Sequence, residues 1–435
     1  MTASQLITLA VLAAVIVALI RDRIRSDIVA LAGAAILLMT GVVRPVEVQG
    51  AFASPAIIAL ASLFVIAYAM ELSGLLDAAI RKVTRLCERI GKSGLWIMIG
   101  IAGAASAFLN NTPIVVLAAP VVRDVSQRLG LSPKRFLIPL SYAAVLGGCC
   151  TLIGTSTNLL VNDMAAVAGQ ARFSIFEITP VGLVVALAGG LYLLLVGHRL
   201  VRADDGEESV KGEFDLREPG LAGGQIGNAL SFAEHAPLRP AAAIASATTF
   251  VAVVALAALN VAPIAACAFA GAVLLILMRI ITADEAYSGL RPEVLVLIAG
   301  MVVLGIALDV TGLAGAVTRM MIGSLDEFSP LLALVIVYGA TLFATELLSN
   351  ATVAVLFTPI AVSIAEALGV SPRPFLVAVM ISGSAAFATP FGYQTNALVY
   401  QMGGYTFLDF VRVGIPLNLI TWAVAVVSIQ FWFPF

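Results

Sequence analysis

Ten stretches of about 20 residues, each almost free of charge, dominate this chain: 4–20, 26–43, 55–76, 136–161, 179–198, 240–259, 263–282, 293–314, 375–400 and 413–433. A helix needs about 20 apolar residues to cross the hydrocarbon of a bilayer. Backbone in lipid must satisfy its own hydrogen bonds, so only helices and closed barrels can span it. The chain is 61% hydrophobic and 11% charged, against about 25% charged residues in soluble domains. So few charges cannot cover a water-soluble surface. The expected fold class is therefore an all-α polytopic membrane protein. The first stretch lacks a basic lead-in and runs directly into "RDRIR", so it reads as a span, not a cleaved signal.

Composition also narrows the function. A net charge of −2 gives no reason to expect nucleic acid as a partner. Cys87, Cys149, Cys150 and Cys267 show neither paired nor metal-ligand spacing, which predicts no disulfide framework and no zinc site. His198 and His235 fall at or in a polar loop and form no catalytic cluster. A membrane enzyme would need a nucleophile or metal constellation, and the sequence offers none. The chain is therefore expected to be neither an enzyme nor in need of a cofactor.

Two further apolar stretches, 95–122 and 331–364, carry polar motifs near their middles. They read "SAFLNNTPIVVLAAP" (Ser106–Pro120) and "TELLSNATVAVLFTP" (Thr345–Pro359). Each could cross once or dip in and return. Charge placement separates these cases. With two re-entrant hairpins and the N-terminus outside, only Arg44, Arg172, Arg319 and Arg373 of the 24 Lys and Arg residues lie outside. Single crossings would erase that bias. The positive-inside rule thus predicts ten spans, two hairpins and both termini outside, with the first hairpin opening to the cytoplasm. The chain is placed in the cell's inner membrane. The basic run Arg81–Lys92 has amphipathic spacing and is expected along the cytoplasmic surface.

The two halves match each other. "ELSGLLDAAIR" (Glu71–Arg81) aligns with "DVTGLAGAVTR" (Asp309–Arg319), a shift of 238 (309 − 71). "LGLSPKRFL" and "LGVSPRPFL" align at 239 (368 − 129), and "TLIGTSTNLLV" and "TPFGYQTNALV" at 238 (389 − 151). Five spans per copy is an odd number, so the second copy should sit upside down. Inverted repeats with a substrate site at their interface recur among secondary transporters. The expected layout is a first repeat over 1–200, a cytoplasmic linker over 201–238 and a second repeat over 239–435. The linker, containing "DDGEESVKGEFDLREPG", is too short and too polar for a folded domain.

Four polar clusters fall inside the apolar regions: Ser106 with Asn110, Asn111 and Thr112; Gly147–Asn158; Glu346 with Ser349–Thr352; and Ala388–Asn396. Gly147, Gly148, Gly154, Pro390 and Gly392 are poor helix formers. Spans four and nine are therefore predicted to be broken helices. Thr155, Ser156, Thr157, Gln394, Thr395 and Asn396 can satisfy the freed backbone. Non-helical backbone at membrane depth survives only when buried in protein or lining a cavity. A hairpin tip and a broken span should therefore meet twice near the midplane. Their carbonyl, hydroxyl and amide oxygens suit a hard cation such as Na⁺. Each hairpin's second arm starts near its Asn, and a helix N-terminus there suits an anion. No Lys or Arg lies within the clusters, so bound cations would have to help hold the anion. Glu346 is a candidate cation ligand, proton carrier or structural acceptor, with the structural or supporting role favoured. Ser141, Ser384, Cys149 and Cys150 read as packing residues.

These motifs resemble a known family. "NNTP" and "SNAT" look like the paired Ser-Asn-Thr signatures of divalent anion–sodium symporters, which carry dicarboxylates, citrate and sulfate within the ion-transporter superfamily. "TELLSNAT", "FATPFGYQTNALVY" and "GGYTFLDFVRVGIPLNL" are closer still to a bacterial branch of anion permeases. The resemblance covers nearly the whole chain. It implies an elevator-type transporter, usually a homodimer, in which a transport domain slides against a scaffold. It also implies a first sodium site at Ser106, Asn110 and Asn111 with backbone near Gly148–Gly154. The second would use Ser349, Asn350 and backbone near Ala388–Pro390. Substrate would lie between Asn111, Thr112, Asn350 and the facing segments that hold Thr157, Asn158, Thr395 and Asn396. Two departures stand out: Asn110 replaces the usual Ser and Ala351 the usual Thr. Ala351 has no hydroxyl, which weakens the case for a long dicarboxylate or citrate and leaves room for sulfate. The short central loop implies that the family's large sensing domains are absent. The leading expectation is sodium-coupled symport of a small dianion. The alternatives are a sodium/proton antiporter and an arsenite-type oxyanion efflux permease of the same superfamily.

Overall fold

The computed structural model describes residues 2–21, 24–75, 78–79, 82, 90–201, 238–259, 261–313 and 329–435. Most of the basic run 81–92, nearly all of the linker 201–238, Cys87 and His235 lie outside the described residues. Every regular element among the described residues is a helix. The first half runs α1 (Ala3–Arg21), α2 (Ser26–Met39), α3 (Pro45–Phe52), α4 (Pro55–Leu72), α5 (Lys92–Ser106), α6 (Asn111–Arg128), α7 (Lys134–Gly148), α8 (Ser156–Val167) and α9 (Thr179–Tyr192). A π-helical turn, Leu193–Gly197, extends α9 to Leu200. The second half runs α10 (Pro240–Ala258), α11 (Ile264–Leu277), α12 (Ala283–Gly289), α13 (Pro292–Val310), α14 (Pro330–Thr345), α15 (Asn350–Ala367), α16 (Arg373–Ser382), α17 (Gln394–Gly403) and α18 (Phe407–Trp432).

Local chemistry explains several boundaries. Ser54 caps α4 by accepting from the Ala56 N–H, with Pro55 supplying the preset φ of a first helical residue. Ser329 and Pro330 repeat that arrangement at α14. The stretch expected as span 136–161 is two helices, α7 and α8, parted at residues 149–155. The stretch 375–400 is likewise α16 and α17, parted at 383–393. Both interrupted regions fall where Gly, Pro and hydroxyl residues collect. The two motif-bearing stretches are helix–turn–helix pairs. α5 turns into α6 through Ala107–Asn110, and α14 turns into α15 through Glu346–Ser349, each pair packing together. The short helices α3 and α12 were not anticipated, because eight and seven residues carry too little periodicity to stand out.

Among the described residues, six helical segments are long and apolar enough to cross a membrane: 45–72, 179–200, 240–258, 292–310, 350–367 and 407–432. Other apolar helices, such as α1, α2, α11 and α14, are shorter. Exposed Leu187, Ile244, Leu277 and Val427 give the outer surface an apolar face suited to lipid. The protein is therefore a multi-pass membrane protein. Eight helices of each half begin 237 to 239 positions apart, as Ala3 and Pro240 do (240 − 3 = 237), or Ser156 and Gln394 (394 − 156 = 238).

Packing sorts the helices into two groups. α4 packs on α10, α11 and α12, and α13 packs on α1, α2 and α3. α5–α9 and α14–α18 form the second group, in which α7 touches α5, α6, α9 and α17, and α16 touches α8, α14, α15 and α18. The groups meet where α13 lies against α15 and α8, and where α4 lies against α8. The second group contains both hairpins and both broken helices.

A paired site between hairpin tips and broken helices

The first hairpin places Ser106, wholly buried, one turn before Asn111, which is 1% exposed. The Ser106 hydroxyl donates to Asn111 Oδ1. Asn110 stands at the N-cap of α6, its Oδ1 accepting from the Thr112 N–H at 3.3 Å. The first unwound segment closes over this tip. Thr151 donates its hydroxyl to the carbonyl of Ala107, and the Gly154 N–H donates back to Thr151 Oγ1 at 3.1 Å. A Cβ on Gly148 would lie 2.7 Å from Asn111 Oδ1, and one on Gly154 would lie 2.5 Å from the Gly148 carbonyl. Only glycine permits that approach. The structure thus brings the oxygens of Ser106, Asn111, Ala107, Gly148 and Gly154 close together. Among the described residues no three His, Cys, Asp or Glu side chains cluster as metal ligands.

The second hairpin builds a counterpart with one substitution. Asn350 Oδ1 accepts from Thr345 Oγ1 at 2.8 Å, and the same hydroxyl lies 2.8 Å from the Gly383 carbonyl. Thr345 therefore plays the part of Ser106, at an offset of 239 (345 − 106). Sequence reasoning missed it, although the repeat offset could have found it. Ser349 is exposed and caps α15, accepting from the Thr352 N–H at 3.3 Å, with the Thr352 hydroxyl 2.7 Å away.

Asn158 and Asn396, 238 positions apart, hold the unwound segments in shape. Asn158 Nδ2 donates to the Thr151 carbonyl at 2.9 Å. Asn396 Nδ2 donates to the Ala386 carbonyl at 2.8 Å and lies 3.3 Å from that of Thr389. Both amides expected to face substrate thus spend their NH₂ groups on their own loops. Asn158 Oδ1 is buried with no hydrogen-bond partner. Thr157 and Thr395 are buried at the first turns of α8 and α17; Ser141 Oγ lies 2.8 Å from Thr395 Oγ1 and 2.7 Å from Asn396 Oδ1. Ser141, expected to serve packing, is a hydrogen-bonded tie between α7 and α17. His198, expected at a polar loop, is buried and meets the Trp96 ring edge to face at 5.4 Å.

Glu346 sits in the second hairpin turn as an acceptor on both oxygens. Oε1 accepts from the Ala388 N–H at 2.7 Å and from Asn418 Nδ2 at 2.8 Å, and Oε2 accepts from the Thr389 N–H at 2.9 Å. One carboxylate thus joins the hairpin tip, the unwound segment and α18. Asn418 stands in the "GGYTFLDFVRVGIPLNL" segment, but nothing in that segment's spacing said that it meets Glu346. Ala388 is fixed by this contact, and Pro390 follows in the same irregular segment.

The two halves of the site touch directly. Asn111 Nδ2 donates to the Tyr393 hydroxyl at 2.7 Å, and Thr112 Oγ1 donates to Gln394 Oε1 at 3.2 Å. Sequence reasoning gave Gln394 only a backbone-satisfying part and overlooked Tyr393, though both stand in the "PFGYQTN" segment.

A polytopic helical protein with paired hairpins, paired broken helices and a polar site at their meeting belongs to the class of membrane transporters. The chain belongs to the citrate transporter family, whose profile matches residues 16–363 and 341–435. It is 24% identical to the sodium-dependent dicarboxylate transporter SdcS of Staphylococcus saprophyticus, over 92% of this chain and 80% of that one. It is 48% identical over 97 residues to sodium/sulfate cotransporter 1 of Chlamydomonas reinhardtii, a match covering 21% of this chain and 11% of that one. Among solved structures, the YdaH transporter of Alcanivorax borkumensis superposes with a TM-score of 0.60 at 14% identity, covering 88% of this chain and 87% of that one. The protein is a secondary anion transporter and not an enzyme.

Proposed function

We propose that the protein is a sodium-coupled symporter of a small divalent anion, of the sulfate or C4-dicarboxylate class. The observation that carries this reading is the convergence of neutral oxygens from Ser106, Asn111, Ala107, Gly148 and Gly154, repeated around Thr345, Asn350 and Gly383. Such sets suit Na⁺. α6 and α15 begin at Asn111 and Asn350 beside them, and helix N-termini favour an anion. Sodium would then supply the positive charge that the site's own side chains lack. The names of the sodium/sulfate and sodium-dependent dicarboxylate relatives point the same way.

The topology proposed with it has ten spans in two inverted repeats, 1–200 and 239–435, both termini outside and the linker in the cytoplasm of an inner-membrane homodimer. The helix group holding both hairpins would slide as a transport domain against α1–α4 and α10–α13. The test is uptake of labelled sulfate and succinate into proteoliposomes, with and without an inward Na⁺ gradient. Sodium-driven uptake of either anion supports symport and names the substrate class. Uptake of neither in response to sodium overturns it.

A further inference from the structure

Two cavities flank the first hairpin's tip. One, of about 50 Å³, is lined by Phe64, Tyr68, Glu71, Asn110, Pro113 and Arg291 among others. The other, of about 40 Å³, is lined by Phe64, Asn110, Gly154 and Thr155 among others. They share Phe64 and Asn110. Together they make one vestibule along α4, from Glu71 near the end of that helix to the edge of the unwound segment.

A dianion entering this vestibule leaves water for a path whose wall is largely apolar. Losing hydration without a counter-charge is costly. Among the described residues, Arg291 is the one cationic residue lining the vestibule. It is half-buried just before α13, and its guanidinium carbon lies 5.9 Å from the centroid of the Phe64 ring, which forms the wall both cavities share. The planar fork of a guanidinium matches the paired oxygens of sulfate or a carboxylate. Glu71 lines the same cavity as Arg291. An arriving dianion would compete with that carboxylate.

We propose that Arg291 is an entry station for the anion. It takes the dianion at the vestibule mouth in exchange for Glu71 and passes it along the Phe64 wall to the hairpin tip at Asn110. The inference rests on the symport reading for its ligand. By charge placement the vestibule opens to the cytoplasm, so the effect belongs to that face.

The test is sodium-driven uptake of labelled sulfate and succinate into inverted and right-side-out membrane vesicles. Arg291→Gln should raise KM about tenfold in inverted vesicles, the loss of one charge-assisted contact. The maximal rate and the KM of right-side-out vesicles should stay within about twofold. Glu71→Gln should lower the inverted-vesicle KM. In Arg291→Cys, a positively charged methanethiosulfonate should restore the affinity and a negatively charged one should not, with the unmodified protein as reagent control. The cysteine arm needs no comparison between differently folded variants. An unmoved KM in Arg291→Gln, equal shifts on both faces, or equal action of the two reagents overturns the entry station alone. Absence of sodium-driven uptake by the unmodified protein overturns the symport reading and the station together.

Discussion

Asn111 and Tyr393 stand 282 positions apart in the chain, and the amide of the first donates to the hydroxyl of the second across 2.7 Å. Beside this contact Thr112 reaches Gln394. The first hairpin therefore meets the second broken helix, and the two halves of the chain are joined at this contact. Tyr393→Phe removes the acceptor while keeping the ring. The expected result is an unfolding free energy lower by about 1 kcal/mol, the net worth of one hydrogen bond. Uptake should fall with a raised KM, because the Asn111 amide loses its fixed orientation. Asn111→Ala and Asn350→Ala should each abolish transport in the proteoliposome assay. Retained transport in both would sink the paired site.

Glu346 is expected to be a structural acceptor. In Glu346→Gln one oxygen becomes an NH₂ donor that faces either the amide of Asn418 or a backbone N–H of the unwound segment. Leaving a buried donor unpaired costs about 1–3 kcal/mol. The expected outcome is a lower melting temperature in detergent, with faster hydrogen exchange at residues 388–392. Asn418→Ala should reproduce part of both effects. A Glu346→Gln protein that loses transport but melts like the parent would instead make Glu346 a proton carrier and favour the antiporter alternative.

Gly148 offers a direct probe of the proposed first cation site. A methyl at this position would stand 2.7 Å from Asn111 Oδ1 and 3.2 Å from the Gly154 carbonyl. Gly148→Ala should push these oxygens apart, so the sodium concentration for half-maximal uptake should rise at least about tenfold, the loss of one good ligand contact. Sodium titration of initial rates checks it. An unchanged sodium dependence would place the cation elsewhere.

Much of this fold was legible because lipid imposes simple rules. A segment of about 20 apolar residues must be helical, and Gly, Pro and hydroxyl clusters inside one must mark a break. The interruptions at 149–155 and 383–393 followed from those rules alone, whereas the hairpins were expected only after charge placement was weighed. What stayed hidden depended on approach in space. Tyr393 and Gln394 could be quoted as a motif, but nothing in their spacing says that they meet Asn111 and Thr112. Asn418 sits in a span where a lone Asn reads equally well as packing. Asn158 and Asn396 were legible as polar residues at the break, yet only geometry shows their NH₂ groups turned onto their own loops. Thr345 was within reach, since the repeat offset leads to it from Ser106.

The proposed sliding of one helix group against the other would make a demand on Ser54 and Asp163. Ser54 starts α4 in the first group and donates to Asp163 Oδ2 on α8 in the second. Asp163 is nearly wholly buried, and its Oδ1 accepts from Arg172 at 3.0 Å. A buried carboxylate that loses one partner is costly, so this contact should resist separation of α4 from α8. Ser54→Ala should then speed exchange out of this conformation, visible as a faster maximal rate if that movement limits transport. It should also lower stability, because Ser54 caps α4. The decisive variant is the pair Ser54→Cys with Asp163→Cys, oxidised to a disulfide. If α4 and α8 move apart in each cycle, oxidation abolishes uptake and reduction restores it. Full transport by the cross-linked protein would show that these helices travel together, and the elevator proposal would have to give way to a movement confined to the hairpins.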